Sequence, residues 1–187
     1  MNKRLYEEIS KYEPFDEKER VDKEVILDYI KNNEDVLTRD NKIAHFTTSG
    51  WITNKERNKI LMIHHNIYNS WAWVGGHADG DEDLLRVVKK EIEEETGLTN
   101  VKALQEGIFG LNIITVFNHI KRGAQVNSHL HFDAEFIFEA SEEDPIRKKE
   151  DENSGVEWID IDKVVESSTE EHMKPIYQRL IDKMKTL

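Results

Sequence analysis

Four stretches predict an α/β fold. Gly75–Leu98, GGHADGDEDLLRVVKKEIEEETGL, has glycines near both ends and helical apolar spacing between them. Lys59–His65 and His129–Phe138 have the composition and alternation of strands. Met173–Met184 carries a second amphipathic helical pattern. Strands on both sides of a helix, in a chain of 187 residues, leave room for one α/β domain plus an appendage.

Composition narrows the class. The formal charge of −12 disfavours nucleic acid as a partner, because that needs a basic surface. The chain has no cysteine, which excludes disulfides, thiolate metal sites and a thiol nucleophile. No apolar run approaches membrane-spanning length, so no membrane association is expected. The start, MNKRLYEEIS, is charged and lacks an apolar signal core. A cytoplasmic protein is the expectation.

Residues 1–42 read as an N-terminal helical extension. Leu5, Ile9 and Tyr12 have helical spacing and Pro14 interrupts it. Asp16 and Glu19 have capping-box spacing, and Val21, Val25, Ile26, Tyr29 and Ile30 continue a helical pattern to about Lys31. Two short helices packed on the main domain are expected. A dimer interface or a cover for a substrate cleft is the alternative use of their apolar faces.

The main domain, 43–187, starts with a strand at His45–Thr53, a polar turn at Asn54–Asn58 and a second strand at Lys59–His65. His64 and His65 read as strand-end polar residues. Trp71-Ala72-Trp73-Val74 forms a short strand. Its two tryptophans share a face, so Trp73 is a candidate for stacking on a substrate ring, with core packing as the alternative. After Gly75–Leu98, strands are expected at Val101–Ile108 and Ile113–Ile120, with a turn at Lys121–Gln125. His129–Phe138 alternates apolar residues with His129, His131, Asp133 and Glu135, which predicts one apolar and one polar face. The segment 141–155, SEEDPIRKKEDENSG, reads as a mobile charged loop left mostly to solvent. VEWIDI, Val156–Ile161, is a final strand, and Pro175 stands near the start of the last helix.

The stretch Gly75–Leu98 carries the chemistry. Asp79 and Glu82 have capping-box spacing, Leu85, Val88 and Ile92 form an apolar stripe, and Gly97 follows the last turn. At about 100° per residue, Glu91, Glu94 and Glu95 share one helix face while Glu93 points away. Hard divalent cations take oxygen ligands, and magnesium leaves positions to water and substrate phosphate. A solvated acidic face is the plain alternative for any such run.

The full pattern is Gly76, five residues, Glu82, seven residues, Lys90, Glu91, Ile92, one residue, Glu94, Glu95, one residue, Gly97, Leu98. It resembles the Nudix box, the signature of the Nudix hydrolases, with Lys90 where the family usually has Arg. The likeness covers about residues 43–165. It implies an α/β/α sandwich with a mixed β-sheet. It also implies a pyrophosphohydrolase that cleaves a diphosphate linkage in a nucleoside diphosphate derivative or related compound. In such a protein Glu91, Glu94 and Glu95, joined by the Gly76 carbonyl, bind Mg2+ or Mn2+, and Glu82 braces Lys90. A glutamate outside the box often completes the site or acts as base. Glu135 is the candidate, with Asp133 behind it and Glu150 or Glu152 as alternatives, and Glu94 is the catalytic candidate inside the box. His77, next to Gly76, is placed to reach a phosphate. The implied partner is a small-molecule diphosphate. A homodimer is the assembly to test, since dimers are the commonest oligomer. The alternative is a non-catalytic nucleotide-sensing module on the same fold, which the intact box glutamates disfavour.

Overall fold

The computed structural model describes residues 2–121 and 123–187. In chain order the elements are α1 (Lys3–Lys11), α2 (Glu17–Asn32), β1 (Ala44–Thr53), β2 (Lys59–His65), β3 (Ser70–Ala72), β4 (Val74–His77), α3 (Leu84–Thr96), β5 (Lys102–Ala103), β6 (Gly110–Val116), β7 (His119–Lys121), β8 (Ala124–Val126), β9 (His129–Glu139), β10 (Asn153–Asp160), α4 (Val164–Ser167) and α5 (Lys174–Met184). Strand order is β10-β2-β1-β9-β5, with β3 on β2, β4 on β1 and β6 on β9. β10 and β6 pair antiparallel with β2 and β9. β9 runs parallel to β1: the Leu130 amide donates to the Ile43 carbonyl at 2.9 Å and the Ala140 amide to Thr53 at 3.0 Å, a constant offset along both chains. The fold is therefore α/β with a mixed sheet, as expected. Among the described residues no helix is long and apolar enough to cross a membrane.

The chain forms two compact units. The first comprises Met1–Thr48, Gly76–Val87 and Gly107–Glu135, and the second Ser49–Gly75, Val88–Glu106 and Phe136–Leu187. The two N-terminal helices belong to the first unit. Asp16 caps α2 by accepting from the Glu19 amide at 2.9 Å, as its spacing predicts. The buried face of α2 is Glu19, Asp22, Ile26 and Ile30, whereas Val21 and Val25 are exposed. The carboxylates are buried because they have partners. Glu19 accepts from the Tyr12 hydroxyl and the Phe15 amide, and Asp22 accepts from the Ile113 amide of β6 at 2.9 Å.

In the second unit, Trp51, Trp73 and Tyr177 form an aromatic core. Tyr177 of α5 stacks on Trp51 at 5.8 Å and meets Trp73 edge-on at 5.3 Å. Gly50 of β1 admits the box helix: a Cβ there would lie 3.0 Å from Ile92 Cδ1.

Several strands differ from expectation: the run Trp71–Val74 is divided between β3 and β4, with Trp73 in neither. The run Val101–Ile108 pairs only at Lys102–Ala103, because Gly107, with φ of 76°, turns the chain. β6 starts at Gly110, where pairing to β9 begins, and not at Ile113. Residues 119–126 form the separate β7–β8 ladder. The expected turn Lys121–Gln125 overlaps the ends of both strands, with Lys121 in β7 and Ala124 and Gln125 in β8, and its Arg122 is outside the described residues, as is Met1 of the N-terminal run.

Candidate functional site

Helix α3 starts four residues later than the spacing of Asp79 and Glu82 predicts. Asp83 caps it by accepting from the Arg86 amide at 3.0 Å, while Asp79 takes a left-handed turn, φ 46°, and pairs with Arg39. The buried stripe is consequently Leu84, Val87, Val88 and Ile92, and Leu85 is half-exposed. Gly97 closes the helix at φ 79°, its amide bonded to the Glu93 carbonyl at 2.9 Å, as expected of a C-terminal glycine.

This phase sets the three carboxylates at different depths. Glu95 is 3 % exposed, Glu91 is half-buried and Glu94 faces outward. Glu95 accepts a long hydrogen bond, 3.3 Å, from the Gly75 amide. Burial, reinforced by the charge of Glu91, pushes its carboxyl up to about 8. Burial also raises Glu91. Glu94 lies below the ordinary range because Lys90 bonds it at 3.1 Å, with Lys149 3.4 Å from its other oxygen. The partner of Lys90 is thus Glu94, one turn along the same helix.

The segment 141–155 is mostly exposed, as expected, but it is anchored at a few points. The last carbonyls of a helix lack intrahelical donors. The Arg147 amide supplies one to Thr96 at 2.7 Å, and the Asn153 side-chain amide supplies one to Glu95 at 3.1 Å. The Asn66 amide and side chain hold the Glu152 and Glu150 carbonyls. This anchoring carries Lys149 to Glu94 and Glu152, and the charge of Glu152 adds to the upward pull on Glu91 and Glu95. Burial lowers the Lys149 ammonium, but Glu152 and Glu94 outweigh it and hold it above the usual lysine range. Lys149 pairs with Glu94 and Glu152 and interacts through its charge with Glu91 and Glu95, so the four carboxylates form an oxygen-donor set. Such a set fits a hard divalent cation.

The other expected site residues fall elsewhere. Gly76 is half-buried on β4, in the first unit. Trp73 is 9 % exposed and belongs to the aromatic core, so packing and not ring stacking accounts for it. Of the pair before the box, Trp71 is the half-exposed one, edge-on to His64 at 5.3 Å. His64 also bonds Ser154 Oγ at 2.7 Å, consistent with a strand-end role.

In the first unit the polar face of β9 is covered, not solvated. Asp133 is 3 % exposed and accepts from Thr47 Oγ1 at 3.0 Å. Glu135 is fully buried and accepts from Asn112 Nδ2 at 2.7 Å. The neighbouring strands supply these polar partners, and the single amide in the apolar run GLNIITV of β6 is the sequence signal for Asn112. Further along the same face, His129 and His131 meet His45 of β1 and His77 of β4. His77 packs its ring 5.3 Å from His45 and 4.9 Å from His131. Burial pushes His45 below the ordinary histidine range, against the pull of its bond to the Asn41 carbonyl. Among the described residues, His45, His77 and His131 are the one set of three metal-ligating side chains whose ligand atoms all lie within 4.8 Å of one another.

The NUDIX domain family model matches residues 44–180. No curated protein sequence matches the chain. Solved structures with a similar fold include a C. elegans Ap4A hydrolase binary complex, at 14% identity and a TM-score of 0.53, covering 75% of this chain and 99% of that one. The E. coli dihydroneopterin triphosphate pyrophosphohydrolase is similar at 14% identity and a TM-score of 0.54, over 73% and 94% of the two chains. A Nudix hydrolase from M. smegmatis, RenU, is similar at 15% identity and a TM-score of 0.57, over 76% and 87%. At these identities the likeness is one of fold.

Proposed function

The chain belongs to the Nudix family, and from that premise we propose that it is a pyrophosphohydrolase that cleaves the diphosphate linkage of a nucleoside diphosphate derivative with Mg2+ or Mn2+. The observation that carries this reading is the network in which Lys149 pairs with Glu94 and Glu152 and interacts through its charge with Glu91 and Glu95. Glu91, Glu94 and Glu95 would hold the cation, as the box implies. The bound cation supplies charge neutralisation for the diphosphate and a lowered pKa for water.

The chain's own residues supply the rest. The Gly75 amide orients Glu95, and the Asn153 side chain ties the last turn of α3 to the segment bearing Lys149 and Glu152. Were a cation to occupy the Glu94 carboxylate, Lys149 would be left to pair with a substrate phosphate. Glu152 is the half-exposed carboxylate we assign as proton acceptor from the attacking water. Glu135, held by Asn112, is the second candidate, to be compared in the same assay.

The test is a panel of diphosphates, including a dinucleoside polyphosphate and dihydroneopterin triphosphate, assayed with Mg2+ and with Mn2+. Glu94→Gln and Glu95→Gln should each lower kcat by about 100-fold or more with the circular dichroism spectrum unchanged. Normal turnover in both variants would overturn the site. Tight nucleotide binding without turnover under either metal would replace the enzyme with a sensing module.

A further inference from the structure

We propose that the first unit holds a second cation site, in which His45, His77 and His131 bind a transition-metal ion of the zinc type. This site is separate from the glutamate network and does not depend on the pyrophosphohydrolase reading. Four of the chain's eight histidines, His45, His77, His129 and His131, gather at one end of three strands. Imidazole nitrogens are poor ligands for magnesium and good ones for zinc, nickel and copper. Donor chemistry therefore divides the two sites between different metals.

The geometry is close to that of a bound ion. The three ligand atoms lie within 4.8 Å of one another. At that outer limit each lies about 2.8 Å from a common centre, against a Zn–N bond of about 2.0–2.1 Å, so each ring needs to move inward by about 0.7 Å. The rings sit on β1, β4 and β9, and two of the three are half-exposed, which leaves a path for a cation and a fourth position for water.

The surrounding bonds orient the ligands. His45 is 3 % exposed, and its Nδ1 lies 2.9 Å from the Asn41 carbonyl, which can only accept, so Nδ1 carries the proton. Its Nε2 keeps the lone pair and, though buried, has no hydrogen-bond partner. Metal-bound histidines characteristically donate their second nitrogen to a carbonyl in this way. His129 repeats the device, with Nδ1 2.9 Å from the Asn127 carbonyl. Its Nε2 faces His131 Nε2 at 3.1 Å and its ring stacks on His45 at 4.9 Å, which fixes the orientation of both.

Zn2+ titration of the full chain in excess Mg2+, followed by imidazole 1H–15N spectra, tests the site without reference to turnover. The ring resonances of His45, His77 and His131 should shift together to a one-to-one endpoint, while His64 and His172 stay unmoved. Co2+ in place of Zn2+ should give visible d–d absorption. His131→Gln and His77→Gln should weaken Zn2+ binding by more than about 100-fold, beyond the 10–100-fold cost of losing an outer-shell partner. His45→Gln should do the same. Should that buried variant not fold, the other two variants and the wild-type spectra decide the matter. Unshifted cluster resonances, or unchanged affinity in His131→Gln and His77→Gln, would overturn the proposal. A shift of His77 on addition of inorganic pyrophosphate but not Zn2+ would also overturn it, assigning that ring to substrate.

Discussion

Lys149 stands 3.4 Å from Glu94 and 3.1 Å from Glu152, so the box helix and the charged segment after β9 share one cation. An ammonium in that place competes with a divalent ion for the same oxygens. Lys149→Met should therefore tighten Mn2+ binding several-fold while raising KM for a diphosphate, because the lysine freed by the metal is no longer there to meet a phosphate. Calorimetric titration with Mn2+ and steady-state kinetics separate the two effects. Unchanged Mn2+ affinity would show that the ion binds elsewhere.

Glu95 should make the stability of the protein depend on pH in the presence of chelator. Its carboxyl is raised from 4.5 to about 8, with burial as the main cause. A folded-state pKa above the unfolded one means that the stabilising contribution is fully present below about 4.5 and is lost as pH rises through about 8. In chelator, the Tm of Glu95→Gln should therefore gain on that of the wild type as pH rises across this window. Each kcal/mol is worth about 2–4 °C in a domain of this size. Saturating Mg2+ should shrink the difference, since a cation favours the charged carboxylate. A gap that is constant from pH 5 to 8 would mean that Glu95 ionises normally.

These two residues show what the sequence made legible. Glu95 was readable because a helix has a fixed angular period, and a fixed spacing of acids and glycines places a carboxylate next to an apolar stripe. Lys149 was not, because its position depends on where 141–155 runs. That course is set by the unsatisfied carbonyls of Glu95 and Thr96, which no local pattern announces. The strand alternation of β9 was legible, but the burial of its polar face was not. Asp133 and Glu135 are covered by Thr47 and Asn112 from β1 and β6, and pairing between distant strands leaves no mark in either run. The same applies to the histidines: His129 and His131 were a visible pair, while His45 and His77 join them only through the sheet.

Gly97 couples the end of the box helix to that pinned segment. A Cβ at this left-handed position, φ 79°, would also lie 2.6 Å from Arg147 Cγ. Gly97→Ala should cost about 1–2 kcal/mol for the backbone conformation alone, before any displacement of Arg147. Chemical denaturation measures it. Adding Arg147→Ala should recover part of any excess, because it removes the overlapping side chain. No recovery would assign the whole cost to the backbone.

The two tryptophans before the box should separate folding from recognition. Trp73 is 9 % exposed and meets Tyr177 edge-on, so Trp73→Ala should cost about 3–5 kcal/mol, as removal of a core aromatic does. Trp71 is half-exposed, and Gly155 makes room for it: a Cβ there would lie 3.1 Å from its ring. An accessible indole can stack on a substrate base, an interaction worth about 1–3 kcal/mol. Trp71→Ala should then leave Tm nearly unchanged and raise KM for a nucleoside diphosphate derivative by about tenfold, with a far smaller effect on a diphosphate that lacks an aromatic ring. If KM rises equally for both substrates, Trp71 shapes the phosphate end and base selection lies with other residues.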